Sequence, residues 1–125
     1  GSCWFMHRAW FNHIGPMDQS LHGPFISEHQ EVGMKTVLAG GLVKVHKGTW
    51  YAHLRKGRKW GRGYALGPNQ FGQSDAVTDY YMNDRWPGKI AGRSMRWWVE
   101  RFHPMPGWPL DLDVAFAEAR ARAKS

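Results

Sequence analysis

Two carboxylates three positions apart, Glu28 and Glu31, and an imidazole further along, His53, are the residues best suited to chemistry. A carboxylate can take the proton from a hydroxyl, and the imidazole of His29 between the two acids can do the same. An imidazole can also complete a divalent cation's shell when carboxylate and phosphate oxygens supply the rest. Arg55, Lys56, Arg58 and Lys59 follow His53 and suit phosphate oxygens. Trp50, Tyr51 and Trp60 lie beside them and offer flat faces to a sugar ring or a nucleobase. Each residue has an ordinary alternative. Acids in a first helical turn complement the helix dipole. Aromatic residues most often fill cores. Asp18 fits a turn as well as it fits acceptor binding.

The elements that must position these groups follow from local pattern. Residues 2–7 mix Cys, Trp, Phe and Met and predict a buried strand. Arg8 to Ile14 predicts a short helix, stopped by Gly15-Pro16. Ser27 is an expected N-cap for a second helix, with Gln30 in the capping-box position. On a 3.6-residue period Glu28, Glu31, Val32 and Lys35 share one face of it. Gly40-Gly41 predicts its end. Residues 42–46 alternate and residues 49–54 are β-branched and aromatic, which predicts a hairpin around Lys47-Gly48. Helix followed by hairpin would fold His53 back toward Glu28. Ser74 to Trp86, Ser94 to Phe102 and Asp111 to Lys124 predict three further helices. Trp4, Trp10, Trp97 and Trp98 are expected in the core.

Composition sets the bounds. A chain of 125 residues with 42% apolar content and 8 Trp suits one packed domain rather than a disordered segment. No apolar run approaches the ~20 residues that cross a bilayer. The start lacks a signal-peptide pattern, so the cytoplasm is the default expectation. Cys3 is the lone cysteine and excludes an internal disulfide. The net charge is +7, and residues 44–62 hold Lys44, Lys47, Arg55, Lys56, Arg58, Lys59 and Arg62 with no Asp or Glu. A basic stretch of that kind favours a phosphate-rich partner, or is a solvated loop.

The order of these motifs resembles the acceptor-side half of a GT-A glycosyltransferase, most closely family 2 in its phage and bacterial forms. The matching pieces are the strand-like Gly1 to Arg8, the turn Ile14-Gly15-Pro16-Met17-Asp18, the acids Glu28 and Glu31, and the pair Gly40-Gly41. His53-Leu54, the run Asn83 to Pro87 and the run Arg101 to Pro109 complete the series. Polypeptide N-acetylgalactosaminyltransferases show the same order of acidic motif, glycine pair and histidine.

The resemblance implies an α/β fold, a partial GT-A mixed sheet with flanking helices and a helical C-terminal tail. Residues 1–54 would be the acceptor-side part, 55–72 a basic Gly-rich loop and 73–125 a helical extension. The implied activity is sugar transfer from a nucleotide sugar to a hydroxyl of a glycan or other acceptor. Glu28, His29 and Glu31 are then the candidate bases. Asp18, Trp50 and Tyr51 would bind substrate. Arg55, Lys56, Arg58 and Lys59 would close over the donor diphosphate, and Trp60 would stack on a sugar face or on the base. His53 resembles a ligand for Mn2+ or Mg2+, which it would hold only together with a D-x-D motif. Asp111-Leu112-Asp113 has those letters but reads as a helix start. The alternative is a small nucleic-acid-binding module, in which basic residues track phosphates and aromatic rings stack on bases.

Overall fold

The computed structural model describes residues 3–18, 20, 28–53, 76–77 and 79–122. Their architecture is helical. Helix α1 spans Arg8–Ile14 and α2 spans Glu28–Leu38. Residues 76–77 and 79–82 are also helical. Helices α3, Met95–Glu100, and α4, Leu112–Arg122, complete the described set. Helix α2 is the centre and packs against both α1 and α3.

Each helix end has a local cause. His7 caps α1, its Nδ1 accepting from the Ala9 amide at 3.2 Å. Ser94 caps α3, its Oγ accepting from the Trp97 amide at 2.9 Å. Helix α2 ends in a Schellman turn. The Gly41 amide bonds the Thr36 carbonyl at 2.8 Å and the Gly40 amide bonds the Val37 carbonyl at 3.1 Å. Gly40 takes φ 99°, a left-handed value that disfavours any side chain. The carbonyls left over at that end are also met, by the Ile90 amide at Leu38 and the Arg93 guanidinium at Val37.

The core forms where α2 meets its neighbours. Val32, Leu38 and Ala39 are buried with Ile14, Val77, Tyr81, Met82, Trp86, Met95, Val99 and Phe116. The positions of α2 that face inward are Glu31, Val32, Lys35, Thr36 and Leu38, which is the 3.6-residue stripe. Two of these are charged, and that feature builds the site described below.

The expected α/β mixed sheet is overturned. Among the described residues there is no strand. Residues 3–7 are irregular, with Phe5 93% exposed, so they are not a buried strand. Residues 41–53 are irregular as well, and Val45 and Trp50 are about as exposed as Phe5. The physical reason is that β-propensity measures the fit of a side chain to a pleated, half-buried surface. A lone two-stranded hairpin is marginal in water. Here no third strand or helix among the described residues covers these side chains, and the ladder does not form.

The tryptophan assignments also change in part. Trp10 and Trp98 pack against the core, but Trp4 is 43% exposed, and nearby Phe102 is 62% exposed. Trp97 instead sits between two guanidinium groups, Arg93 at 4.7 Å and Arg101 at 4.6 Å from its ring centre. Trp86 takes a core place at 8% exposure. The loop predicted for residues 55–72 and the N-cap at Ser27 lie outside the described residues. No described helix is long and apolar enough to cross a membrane.

A glycine within α2 and one in the turn that ends it give opposite expectations. A Cβ on Gly33 meets nothing within 4 Å, so Gly33→Ala should stabilise by about 0.5–1 kcal/mol. Gly40→Ala should destabilise by about 1 kcal/mol or more, because its φ is left-handed and Ile90 stands 3.1 Å from the new carbon. Urea unfolding followed by circular dichroism measures both, and the same sign for the pair would contradict the α2 ending described.

Candidate functional site

The site begins with a charged pair on one helix face. Glu31 and Lys35 are four residues apart, so α2 places one above the other. The Glu31 carboxylate is fully buried and Lys35 is 5% exposed. Lys35 Nζ lies 2.7 Å from Glu31 Oε1. A buried carboxylate needs donors on its remaining lone pairs. The Asp18 amide donates to both Glu31 oxygens at 3.2 Å, and the Tyr81 hydroxyl donates to Oε1 at 3.4 Å. Lys35 Nζ donates in turn to the Pro16 carbonyl at 2.7 Å.

This network fixes the turn at residues 16–18 against α2 and against Tyr81. The Gly15-Pro16 break makes the turn possible, and Gly15 takes φ 77° at its start. Ser20 adds a local lock, its amide and hydroxyl donating to Asp18 Oδ1 at 3.0 and 2.5 Å. Asp18 itself is exposed.

Beside the network lies an open cleft of about 390 Å3. Among the described residues it is lined by Pro16, Met17, Asp18, Glu31, Lys35, Tyr80, Tyr81, Trp86 and Pro87. Its volume falls in the about 300–1,000 Å3 range of small-molecule sites. The aromatic wall is ordered by ring contacts. Tyr80 meets Tyr81 edge-on at 5.3 Å, and Tyr81 meets Trp86 at 6.5 Å. The Tyr81 hydroxyl is held protonated well above the usual phenol range. Burial is the main cause, followed by the charge of Glu31.

The expected site residues fall in different places. Glu31 is at the heart of the network, sealed from solvent, and acts there as an acceptor for three donors. Asp18 stands on the cleft wall. Glu28 is half-buried, with Oε2 buried and without a hydrogen-bond partner. His29 is exposed on the opposite side of the α2 stripe from the core. Neither Glu28 nor His53 lines the cleft. His53, Trp50 and Tyr51 are exposed on the irregular segment. Arg55, Lys56, Arg58, Lys59 and Trp60 lie outside the described residues.

No group of three His, Cys, Asp or Glu side chains that could hold an ion occurs among the described residues. His53 supplies a single imidazole on an exposed, irregular segment.

Lys35, Tyr80, Tyr81 and Trp86 line the cleft but are not among the site residues expected from the sequence. The signal for Lys35 was present, since it shares the Glu31 face at the i+4 spacing of an ion pair. Tyr81 carried none, because its pairing with Glu31 crosses 50 positions of chain. Compared with known proteins, the chain matches no family model, no curated protein and no solved structure.

Two measurements check the network. Lys35→Met strands a buried carboxylate and should cost about 3–5 kcal/mol in urea unfolding, far more than an exposed lysine change. Adding Glu31→Leu to it should recover part of that loss, because paired groups are not additive; full additivity would contradict the pairing. The alkaline limb tests Tyr81. Its folded-state pKa is raised above the ordinary 10.0, so the stability it lends is complete below that pH and declines as pH rises beyond it. Tyr81→Phe should therefore lose less stability than the parent chain between neutral pH and about pH 11, and an unchanged alkaline slope would contradict the assignment.

Proposed function

We propose that this chain supplies the acceptor-binding side of a glycosyltransferase. It would receive a sugar or other hydroxyl acceptor in the Tyr80–Trp86 cleft while a nucleotide sugar is bound by other residues. The observation that carries this reading is the cleft itself, lined by Tyr80, Tyr81 and Trp86 together with the carboxylate Asp18, on a turn whose amide is bonded to Glu31. Sugar rings present apolar C–H faces and a rim of hydroxyls. Aromatic faces take the first and carboxylates or carbonyls take the second.

Within this reading the acid placed to meet an acceptor hydroxyl is Asp18 rather than Glu31. A general base must come within hydrogen-bond reach of the proton it takes. Glu31 is sealed and already accepts from Lys35, the Asp18 amide and Tyr81. Asp18 is exposed on the cleft wall. Positioning by a rigid turn is the larger contribution such a half-site could make.

A second reading, single-stranded nucleic-acid binding, is favoured by one observation. Trp50 is 85% exposed, and Lys44, His46 and Lys47 beside it are exposed too. Stacking on that ring, with phosphates on the lysines, would be strongly salt-dependent.

Saturation-transfer NMR on the whole chain separates the two. With a panel of neutral methyl glycosides of gluco, galacto and manno configuration, at least one should show transfer, and Tyr80→Ala should abolish it while helical circular dichroism persists. Absence of transfer to every glycoside, with tight low-salt binding of a labelled oligothymidine that Trp50→Ala removes, would overturn the first reading in favour of the second.

A further inference from the structure

We infer that α3 carries a second site, a phosphate clamp for single-stranded nucleic acid built on Trp97. It shares no residue with the acceptor cleft. It shares its class of partner with the second reading above but not Trp50, so the two fail separately.

Arg93, Trp97 and Arg101 stand at intervals of four. The two guanidinium carbons lie 4.7 and 4.6 Å from the centre of the Trp97 ring. Stacking uses the flat face of a guanidinium and leaves its N–H donors at the edge, where they take phosphate oxygens in pairs. Arg93 commits one donor, Nη1, to the Val37 carbonyl at 2.6 Å, which anchors the side chain to the end of α2. Arg101 is exposed. Among the described residues neither guanidinium takes part in an ion pair. Arg96 on the same helix is the contrast, because it meets both Glu100 and Asp113. The acids tied to this helix are thus engaged elsewhere, and Asp84 takes the Met95 amide at 2.9 Å.

Beside Arg93 an open groove of about 340 Å3 runs over residues 89–94. Among the described residues its lining holds two cations, Lys89 and Arg93, and no carboxylate. Lys89 bonds the Asp84 carbonyl rather than its carboxylate. Phe102, next to Arg101, is 62% exposed and offers its ring to a base. A string of carboxylates alone has no flat base for that ring, which favours nucleic acid as the occupant. The net charge of +7 draws such a strand toward the chain.

The experiment is fluorescence anisotropy of the whole chain with a labelled oligothymidine over a salt series. Each phosphate neutralised on a single strand adds about 0.7 to the slope of log affinity against log salt. Arg101→Gln, an exposed change, should lower the slope by about 0.7, and Arg93→Gln together with it by about 1.4, while helical circular dichroism persists. Arg96→Gln removes the same charge from the same helix, but a paired one, and should move the slope less than half as far as Arg101→Gln. Trp97→Leu removes no charge and should weaken binding about twofold to fivefold, the worth of one lost cation–π contact. Equal slope changes for Arg96→Gln and Arg101→Gln would mean diffuse attraction to net charge and overturn the site. So would the absence of binding in low salt, or a polyglutamate of equal charge that competes as well as the oligothymidine. Binding that Trp50→Ala removes while Arg101→Gln leaves the slope unmoved overturns this site and keeps the second reading.

Discussion

The structure depends on one buried ion pair. Glu31 and Lys35 project from the central helix into the interior, the first fully buried and the second nearly so. Two charges taken out of water are costly unless every lone pair and proton finds a partner. That requirement organises the surroundings. The carboxylate draws in the Asp18 amide and the Tyr81 hydroxyl, and the ammonium draws in the Pro16 carbonyl. Three stretches far apart in sequence are thereby tied to one point on α2. An apolar pair of similar volume would pack α2 at least as well. It would not specify where the turn at 16–18 sits, and the cleft is bounded by that turn.

Geometry around the pair explains the division of labour between the acids. Glu31 is immobilised and shielded, so it positions. Asp18 is held by its own backbone amide, so its side chain can stand on the cleft wall without the turn drifting. The aromatic residues on the other wall are fixed in the same way, through the Tyr81 hydroxyl and the ring contacts that link Tyr80, Tyr81 and Trp86. A cleft lined by a carboxylate and three aromatic rings follows from how the core satisfies one charge pair.

Much of this was legible in the residues, and the rest was not for definite reasons. Helix α1 lies where Gly15-Pro16 and the apolar spacing put it. The stop at Gly40-Gly41 is the Schellman turn that a glycine pair allows, and Ser94 caps α3 as its hydroxyl suggests. These features are written in a few neighbouring residues. The face shared by Glu31, Val32 and Lys35 was also readable from period alone. Its burial was not, because that depends on Tyr81 arriving from a distant helical stretch. The sheet failed for the converse reason. Residues 42–46 and 49–53 have strand-like side chains, but a strand is made by its neighbours, and the described chain gives this segment none. The expected partnership of Glu28 with His53 fell with the hairpin that was to join them.

Amide exchange at Asp18 tests the central claim most directly. Residue 18 lies in an exposed turn with no helical partner for its N–H, and the Glu31 carboxylate is the acceptor on which the account depends. Hydrogen–deuterium exchange followed by NMR should show the Asp18 amide slowed at least about tenfold against an unstructured peptide, in step with the core amides of α2. An Asp18 amide that exchanges at the free-peptide rate while α2 stays protected would show that the buried pair does not hold the turn.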